Sequence, residues 1–178
     1  MDNRAGCAAL AEALRRIAAR PGAAEVYGVF TVQEEIGLRG ARTAGFGVPA
    51  DVALAVDITG SGDLPGASPL ALSLGHGAAI KIGDGGMLSH RGVVAWLTDL
   101  AAAHGIASQP EVLPGGTTDA AALQVAGAGV PAGAVSIPTR HAHRPGQIVD
   151  LGDLEAAAAL LAAAGAGLRD GAWYTPQD

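Results

Sequence analysis

The most constraining feature of this chain is an apolar run that leads into two adjacent carboxylates. Residues 26–32 predict a β-strand, and Glu34 and Glu35 follow it directly after Gln33. Burying a glutamate is costly unless it is paired with a cation or coordinates a metal. Because neighbouring side chains of an extended segment point to opposite faces, we expect different roles for the two, one binding a metal and the other handling a proton. The alternative interpretation is a solvated loop after an edge strand.

Two further apolar runs end in polar side chains of the same kind. Residues 52–56 lead into Asp57, and residues 132–140 lead into His141-Ala142-His143. Three strand-like runs that each deliver Glu, Asp or His predict a site at the strand ends of an open α/β sheet. Carboxylates and imidazoles suit zinc, cobalt or manganese, whereas a single cysteine argues against a thiolate cage.

Helical and strand-like patterns alternate along the chain. The predicted helices cover residues 4–19, 38–44, 93–104, 119–126 and 151–168, and the predicted strands cover residues 26–32, 52–57, 78–82, 110–113 and 133–137. This alternation predicts an α/β fold with an open, mostly parallel or mixed sheet and helices on both faces, which makes three layers. The length of 178 residues predicts one domain over residues 1–178. The Gly/Pro-rich residues 59–68 predict a loop beside a substrate cleft.

Charge and composition narrow the classes of partner. A net charge of −6 argues against nucleic acid or an anionic membrane as a partner. No membrane span or secretory signal is recognisable, and the single cysteine makes a reducing cytoplasm the expected location. We expect Cys7 to be buried as a small hydrophobic residue and Lys81, the only lysine, to face solvent.

Several segments together resemble one enzyme family. Residues 33–41, 55–57, 115–120 and 137–143, with residues 2–7 before them, are similar to the M42 metallo-aminopeptidases of the tetrahedral or glutamyl aminopeptidase type. The resemblance extends from residue 2 to about residue 165. It implies a zinc-peptidase-like fold and a metal-dependent aminopeptidase that acts on the N-terminal residues of peptides. Within the family these enzymes form homo-oligomers.

The resemblance also implies a role for individual residues. Asp2 would bridge two metal ions, Zn²⁺ or Co²⁺, with Glu35 and His143 on one ion and Asp57 on the other. Glu34 would be the general base. Two such ions polarise a scissile carbonyl and lower the pKa of a shared water, whose proton a nearby carboxylate can take.

The loop of residues 115–119 has two interpretations. Thr117 or Thr118 could cap the following helix. Alternatively, backbone N–H groups at this helix start could stabilise an oxyanion or a substrate carboxylate. Because the resemblance places the loop in the active-site wall, Gly116, Thr118 and Asp119 are candidate substrate-binding residues.

Arg140 and His141 flank the start of the histidine motif and have several possible roles. Arg140 could pair with Asp57 or Asp119, or contact a substrate carbonyl. His141 stands where the family usually has an aromatic residue, so it could be a substitute ligand or an exposed ring.

The sequence differs from the family pattern upstream of Asp2. The family's first metal-binding histidine and its inserted dimerisation domain both precede the bridging aspartate, and this chain contains neither. We therefore expect the C-terminal catalytic part of the family fold, with the metal on Asp57 short of one ligand.

Two other functions stay open. A non-catalytic domain could keep the fold without the complete site. A glycoside hydrolase also uses paired carboxylates, but these must face each other across a sugar about 5–9.5 Å apart. Adjacent Glu34 and Glu35 diverge in an extended segment, and aromatic residues make up only 3% of the chain.

Overall fold

The computed structural model describes residues 1–67 and 70–168, in which helices and strands alternate. The helices are α1 (Arg4–Ala19), α2 (Arg39–Gly47), α3 (Arg91–His104), α4 (Ala120–Leu123) and α5 (Leu151–Gly167). The strands are β1 (Ala53–Gly60), β2 (Ala78–Gly83), β3 (Ser108–Val112), β4 (Ala132–Arg140) and β5 (Ile148–Val149). Helix α5 ends at Gly167, one residue before the predicted end at Leu168. The predicted end of the cleft loop, Ser68, lies outside the described residues.

The strands form one mixed sheet. Its order is β1-β4-β2-β3, and β5 pairs with the far end of β4. β1 is parallel to β4 and β2 is parallel to β3, whereas β2 and β4 are antiparallel. In the register of the parallel pair, Asp57 of β1 lies opposite Ser136 of β4. Because β1 and β4 are parallel, both strands end at the same edge of the sheet.

Alternating side chains of β4 cover both faces of the sheet. Val135 and Ile137 belong to the main core with α1, α3 and α5, whereas Ala132 and Ala134 belong to a second cluster with Ala120 of α4. α2 packs on α4 through a third small cluster around Ala41. The predicted three-layer α/β fold with helices on both faces is therefore confirmed.

The main core is built largely from alanine. Ala5, Ala9 and Ala13 line the buried side of α1, which packs closely against α5, and α5 contributes Ala156, Ala157, Ala158 and Ala164. Small side chains allow the two helix backbones to approach one another. Each buried alanine stabilises the core less than a leucine would, since the stabilisation is proportional to the apolar area that is buried.

The structure corrects several predictions. α4 ends at Leu123 rather than residue 126, because the Ala126 N–H donates to the Leu123 carbonyl three residues before it, which makes a tighter turn than an α-helix. Cys7 is exposed. Lys81 is buried, where its ammonium group lies 2.7 Å from Glu111.

The largest departure concerns residues 26–32, which pair with no described strand. These residues have a β-forming composition but no neighbouring strand, and a strand is stable only when its backbone groups find partners.

The helices within residues 1–67 and 70–168 include none that is long and apolar enough to cross a membrane.

Candidate metal centre

Three side chains from distant parts of the chain meet beyond the end of β4. Asp2 precedes α1, Glu35 precedes α2, and His143 follows β4. Their possible ligand atoms all lie within 4.8 Å of one another. His143 Nε2 is 3.4 Å from Asp2 Oδ2 and 3.9 Å from Glu35 Oε1. The fold thus brings together three of the four side chains that the sequence indicates as metal ligands.

The backbone around Asp2 is fixed by side chains on both sides. The Asp2 N–H donates a 2.9 Å hydrogen bond to Gln147 Oε1. Asn3 accepts from the Gly6 N–H as the cap of α1, and its Nδ2 donates to the Val56 carbonyl of β1 at 2.8 Å. These three bonds oppose the fraying expected of a residue so near a chain end.

Glu34 and Glu35 lie in a turn rather than at the end of an extended strand. The Glu34 carbonyl accepts from the backbone N–H groups of Gly37 and Leu38, at 3.0 and 2.9 Å, and Gln33 before it has a φ of 60°. The expected alternation of an extended segment is therefore wrong here. The two environments still differ, because Glu34 is half-buried while the Glu35 side chain is 65% exposed.

The histidine motif is also not extended. His141 and His143 have φ angles of 59° and 58°, in the left-handed region that residues other than glycine seldom adopt. Arg144 N–H donates to the His141 carbonyl, which closes a turn. This backbone directs His143 toward Asp2, whereas His141 is exposed and lies outside the three-residue cluster.

Further carboxylates lie behind the cluster and repel one another. Burial raises the pKa of Asp57 to about 8, and the charges of Glu34, Asp2 and Asp119 raise it too, against a backbone hydrogen bond from Ile58 that lowers it. Burial raises the pKa of Glu34 to about 7, with the charges of Asp119, Glu35 and Asp2 acting in the same direction. A cation at this point would relieve the repulsion.

The donor set fits a divalent cation. Zinc bonds of about 2.1 Å in a tetrahedron set the ligand atoms about 3.4 Å apart, which is the separation of His143 Nε2 and Asp2 Oδ2. Two carboxylates and one imidazole leave a fourth position open, as catalytic zinc requires. The exposed side chains of Glu35 and His143 leave this position accessible to solvent.

Of the three predicted substrate-binding residues in the loop of residues 115–119, one interacts with the acids of the site and two do not. Asp119 is half-buried, and its Oδ2 accepts a 2.5 Å hydrogen bond from Thr31 Oγ1, while its buried Oδ1 has no hydrogen-bond partner among the described residues. Thr118 is buried with its hydroxyl 3.9 Å from Met87 Sδ, and Gly116 is exposed with a φ of 68°. Asp119 is therefore the loop residue that is electrostatically coupled to Glu34 and Asp57.

Neither threonine of this loop caps α4. Asp119 occupies the N-cap position and makes no side-chain hydrogen bond to the helix. The capping interpretation of Thr117 and Thr118 is wrong.

Arg140 pairs with neither Asp57 nor Asp119. Its guanidinium binds both carboxylate oxygens of Asp63, with Nη2 2.7 Å from Oδ2 and Nε 3.1 Å from Oδ1. The pair joins the end of β4 to the loop after β1, and it holds the pKa of Asp63 well below its usual range. The alternative role of Arg140 in contacting substrate stays a prediction.

Sequence reasoning missed four residues that support the site. Asn3 could have been found, since an asparagine directly before a helical pattern is a capping signal. The contacts of Thr31, Asp63 and Gln147 cross long stretches of sequence and leave no local pattern.

The fold is an open α/β sheet with carboxylates and an imidazole clustered beyond its strand ends, and comparison with known proteins gives the family. The model of the M42 glutamyl aminopeptidase family matches residues 1–160. The chain belongs to this family.

Three similar proteins illustrate the extent of the match. A putative aminopeptidase of Acetivibrio thermocellus is 40% identical over 161 residues, which are 90% of this chain and 48% of that protein. The structure of an aminopeptidase from the archaeon Desulfurococcus kamchatkensis is 38% identical with a TM-score of 0.85, covering 97% of this chain and 49% of that one. The TET1 peptidase of Pyrococcus horikoshii, which can assemble into a tetrahedron or a large octahedral shell, is 31% identical with a TM-score of 0.80, covering 94% and 48%. This chain thus spans about half the length of the relatives it matches.

Proposed function

We propose that this chain carries the catalytic residues of a metal-dependent aminopeptidase that removes N-terminal residues from peptides. The observation that carries the proposal is the meeting of Asp2, Glu35 and His143 within 4.8 Å. Membership of the M42 family supports the peptidase activity. Residues 1–178 would act as one catalytic domain.

In this proposal Asp2, Glu35 and His143 hold one divalent cation, Zn²⁺ or Co²⁺. A bound ion of this type supplies Lewis acidity to a peptide carbonyl and lowers the pKa of a bound water. Asp57 would hold a second ion, with Asp2 as a shared ligand.

Glu34 is the proposed general base. It is half-buried, and its pKa of about 7 without a cation is set by burial and by the charges of Asp119, Glu35 and Asp2. Its carboxylate takes the proton of the attacking water and then delivers it to the leaving amine. Asp119, held by Thr31, offers a second fixed carboxylate, which can attract the cationic N-terminus of a peptide.

Other parts of the proposal concern the setting of the enzyme. The net charge of −6 suits a cationic peptide terminus and disfavours nucleic acid and anionic membranes. We propose a cytoplasmic location, and a homo-oligomer for the complete protein by analogy with the tetrahedral and octahedral assemblies of the Pyrococcus horikoshii peptidase.

One observation favours a second candidate, a domain that keeps the fold without activity. Asp57 lies outside the three-residue ligand cluster, so a second ion would rest on this carboxylate and a shared Asp2. Under this alternative the chain binds one metal and hydrolyses nothing.

Zinc titration by calorimetry, with assays on chromogenic aminoacyl substrates under the same conditions, tests the proposal. We expect zinc binding and metal-dependent release of the chromophore. His143→Ala should weaken zinc binding at least about tenfold, since a lost ligand costs no less than a lost supporting contact. The matched control is His104→Ala, an exposed histidine at the end of α3. Zinc binding that is equal in both variants would refute the metal site, and zinc binding without hydrolysis would favour the second candidate.

A further inference from the structure

One hairpin loop lies beside both the first and the last ligand of the metal centre. β4 ends at Arg140, and β5 returns antiparallel to it. Residues 141–147 connect the two strands and are called the hairpin loop below. The loop contains the ligand His143 and also Gln147, whose Oε1 accepts the N–H of the ligand Asp2 at 2.9 Å. It therefore contributes one ligand and holds the backbone of another.

The hairpin loop depends on contacts outside itself. His141 and His143 have φ angles of 59° and 58°, a conformation that costs free energy for residues other than glycine and persists only where the surroundings fix it. Both side chains are exposed, so they gain no stabilisation from burial in the core. The Arg144 N–H donates to the His141 carbonyl at 3.1 Å and closes one turn of the loop. The orientation of that turn on the protein is then set by the strands at its base.

An ion pair anchors the base of the hairpin. Arg140 donates two hydrogen bonds to Asp63, from Nη2 to Oδ2 at 2.7 Å and from Nε to Oδ1 at 3.1 Å. A guanidinium that binds both oxygens of a carboxylate fixes orientation as well as distance. Asp63 is itself held, since its Oδ2 also accepts the Leu74 N–H at 3.1 Å. The pair therefore ties the last residue of β4 to a fixed point on the loop after β1.

Gln147 connects the other end of the hairpin loop to the start of the chain. It directly precedes β5, so the pairing of β5 with β4 sets its position as well as that of Arg140. Its hydrogen bond to the Asp2 N–H lies at one end of this connection, and the 3.4 Å contact between the His143 ring and the Asp2 carboxylate lies at the other. A rotation of the hairpin on the sheet would move both ligands.

We propose that Arg140, Asp63 and Gln147 are positioning residues of the metal centre, and that the hairpin loop sets the spacing between His143 and Asp2. The inference rests on the proposed metal site, and it concerns side chains that do not themselves bind the ion. Contacts that orient metal ligands typically contribute about 10–100-fold to metal affinity. The three side chains should therefore affect zinc binding although they lie outside the ligand cluster.

The charges of the ion pair distinguish positioning from a direct electrostatic effect. By charge alone, Arg140 repels a divalent cation and Asp63 attracts it. Removing the guanidinium would then strengthen zinc binding, and removing the carboxylate would weaken it. If the pair acts by anchoring the hairpin, both substitutions weaken zinc binding. The double variant should then lose scarcely more than the worse single variant, because the two side chains form one contact.

Calorimetric zinc titration at pH 7 tests the anchor with Arg140→Met, Asp63→Ala and the double variant. We expect each single variant to bind zinc at least about tenfold more weakly than the unmodified chain. The matched control is Arg16→Met, which breaks a guanidinium–carboxylate pair with Glu155 at the opposite end of α1 from Asp2. Because exposed ion pairs contribute little, this control should stay within about twofold of the unmodified chain.

Circular dichroism confirms that each of these variants is folded. Stronger zinc binding by Arg140→Met than by the unmodified chain would overturn the inference, because it is the result expected from charge alone. Losses of Arg140→Met and Asp63→Ala that multiply in the double variant would also overturn it, since the two side chains would then act separately.

A second experiment tests the link to Asp2 in the absence of metal. Gln147→Met keeps the length of the side chain but removes the acceptor, so NMR should show at least about tenfold faster hydrogen exchange at the Asp2 amide. Gln147→Glu keeps an acceptor oxygen and should keep the slow exchange. Zinc affinity should change in the same order, with a loss of at least about tenfold in Gln147→Met and rescue in Gln147→Glu.

The outcomes separate this inference from the proposed function. If the unmodified chain binds zinc and Gln147→Met binds it equally well, the positioning role of Gln147 is overturned while the metal centre stands. Unchanged exchange at the Asp2 amide in Gln147→Met would overturn it as well. Absence of zinc binding by the unmodified chain would refute the metal centre and the inference together.

Discussion

His143 Nε2 lies 3.4 Å from Asp2 Oδ2, although Asp2 precedes α1 and His143 follows β4. The contact depends on the hydrogen bonds of Asp2 and Asn3 at one end and on the left-handed backbone of His143 at the other. Strained backbone of this kind persists where its surroundings fix it, and it concentrates at functional sites. The geometry therefore supports a functional role for the position that Asp2 and His143 share with Glu35.

We expect one tightly bound zinc ion per chain. Asp2, Glu35 and His143 supply three ligands, whereas a second ion would rely on Asp57 and a shared Asp2, and two carboxylates bind zinc weakly. Calorimetric titration measures the stoichiometry directly. Two tight sites would show that another side chain completes the Asp57 site. His141 is then the side chain to test, since it is the histidine nearest to His143 in sequence. His141→Ala would in that case remove the second site.

Replacing Glu34 should separate catalysis from metal binding. Glu34→Gln keeps the size of the side chain but removes the base, so any aminopeptidase activity should fall on the order of 10²–10⁴-fold with metal content unchanged. Glu35→Gln should instead reduce metal content. The two variants are matched in chemistry and adjacent in sequence, and metal analysis beside activity assays compares them. Loss of metal in Glu34→Gln with retention in Glu35→Gln would reverse the two roles.

The sequence predicted most of the fold and the identity of the clustered acids and histidine. Helix α1 was predictable to the residue because its apolar period and the Pro21-Gly22 stop are local signals. The lack of strand pairing at residues 26–32 was not predictable, since whether a strand finds a partner depends on non-local contacts. The turns at Glu34 and His143 were also missed, because positive φ angles at residues other than glycine follow from tertiary contacts.

The burial of Lys81 was missed for a similar reason. Its partners, Glu111 on β3 and Asp84 after β2, approach only when the strands pair, and Lys81 Nζ then lies 2.7 Å from Glu111 Oε1 with both side chains at most 1% exposed. Glu111 also accepts from Thr59 Oγ1 at 2.6 Å. A strand pattern alone cannot distinguish a paired buried lysine from one that faces solvent.

Removing this buried ammonium should be strongly destabilising. Lys81→Met leaves Glu111 without its cation in the core, and breaking such a pair costs about 3–5 kcal/mol. The double variant Lys81→Met/Glu111→Gln removes the charges of this pair but leaves the buried Asp84, so it should recover part of the loss. Urea unfolding followed by circular dichroism measures the free energies of unfolding. A single variant as stable as the unmodified chain would show that the pair contributes no net stability.

The pair of Arg140 and Asp63 should make stability depend on pH in acid. Because Arg140 lowers the pKa of Asp63 in the folded state, the folded protein holds this carboxylate ionised more strongly than the unfolded chain does. The stabilisation is therefore complete above the unfolded pKa of about 3.9 and declines as the pH falls below it. Asp63→Asn should lower the midpoint of thermal unfolding at pH 7, and the difference from the unmodified chain should shrink between about pH 5 and pH 3. The matched control is Asp99→Asn on the exposed side of α3, whose difference should stay small throughout. A difference for Asp63→Asn that stays constant or widens toward pH 3 would show that the carboxylate acts through its shape and hydrogen bonds instead of its charge.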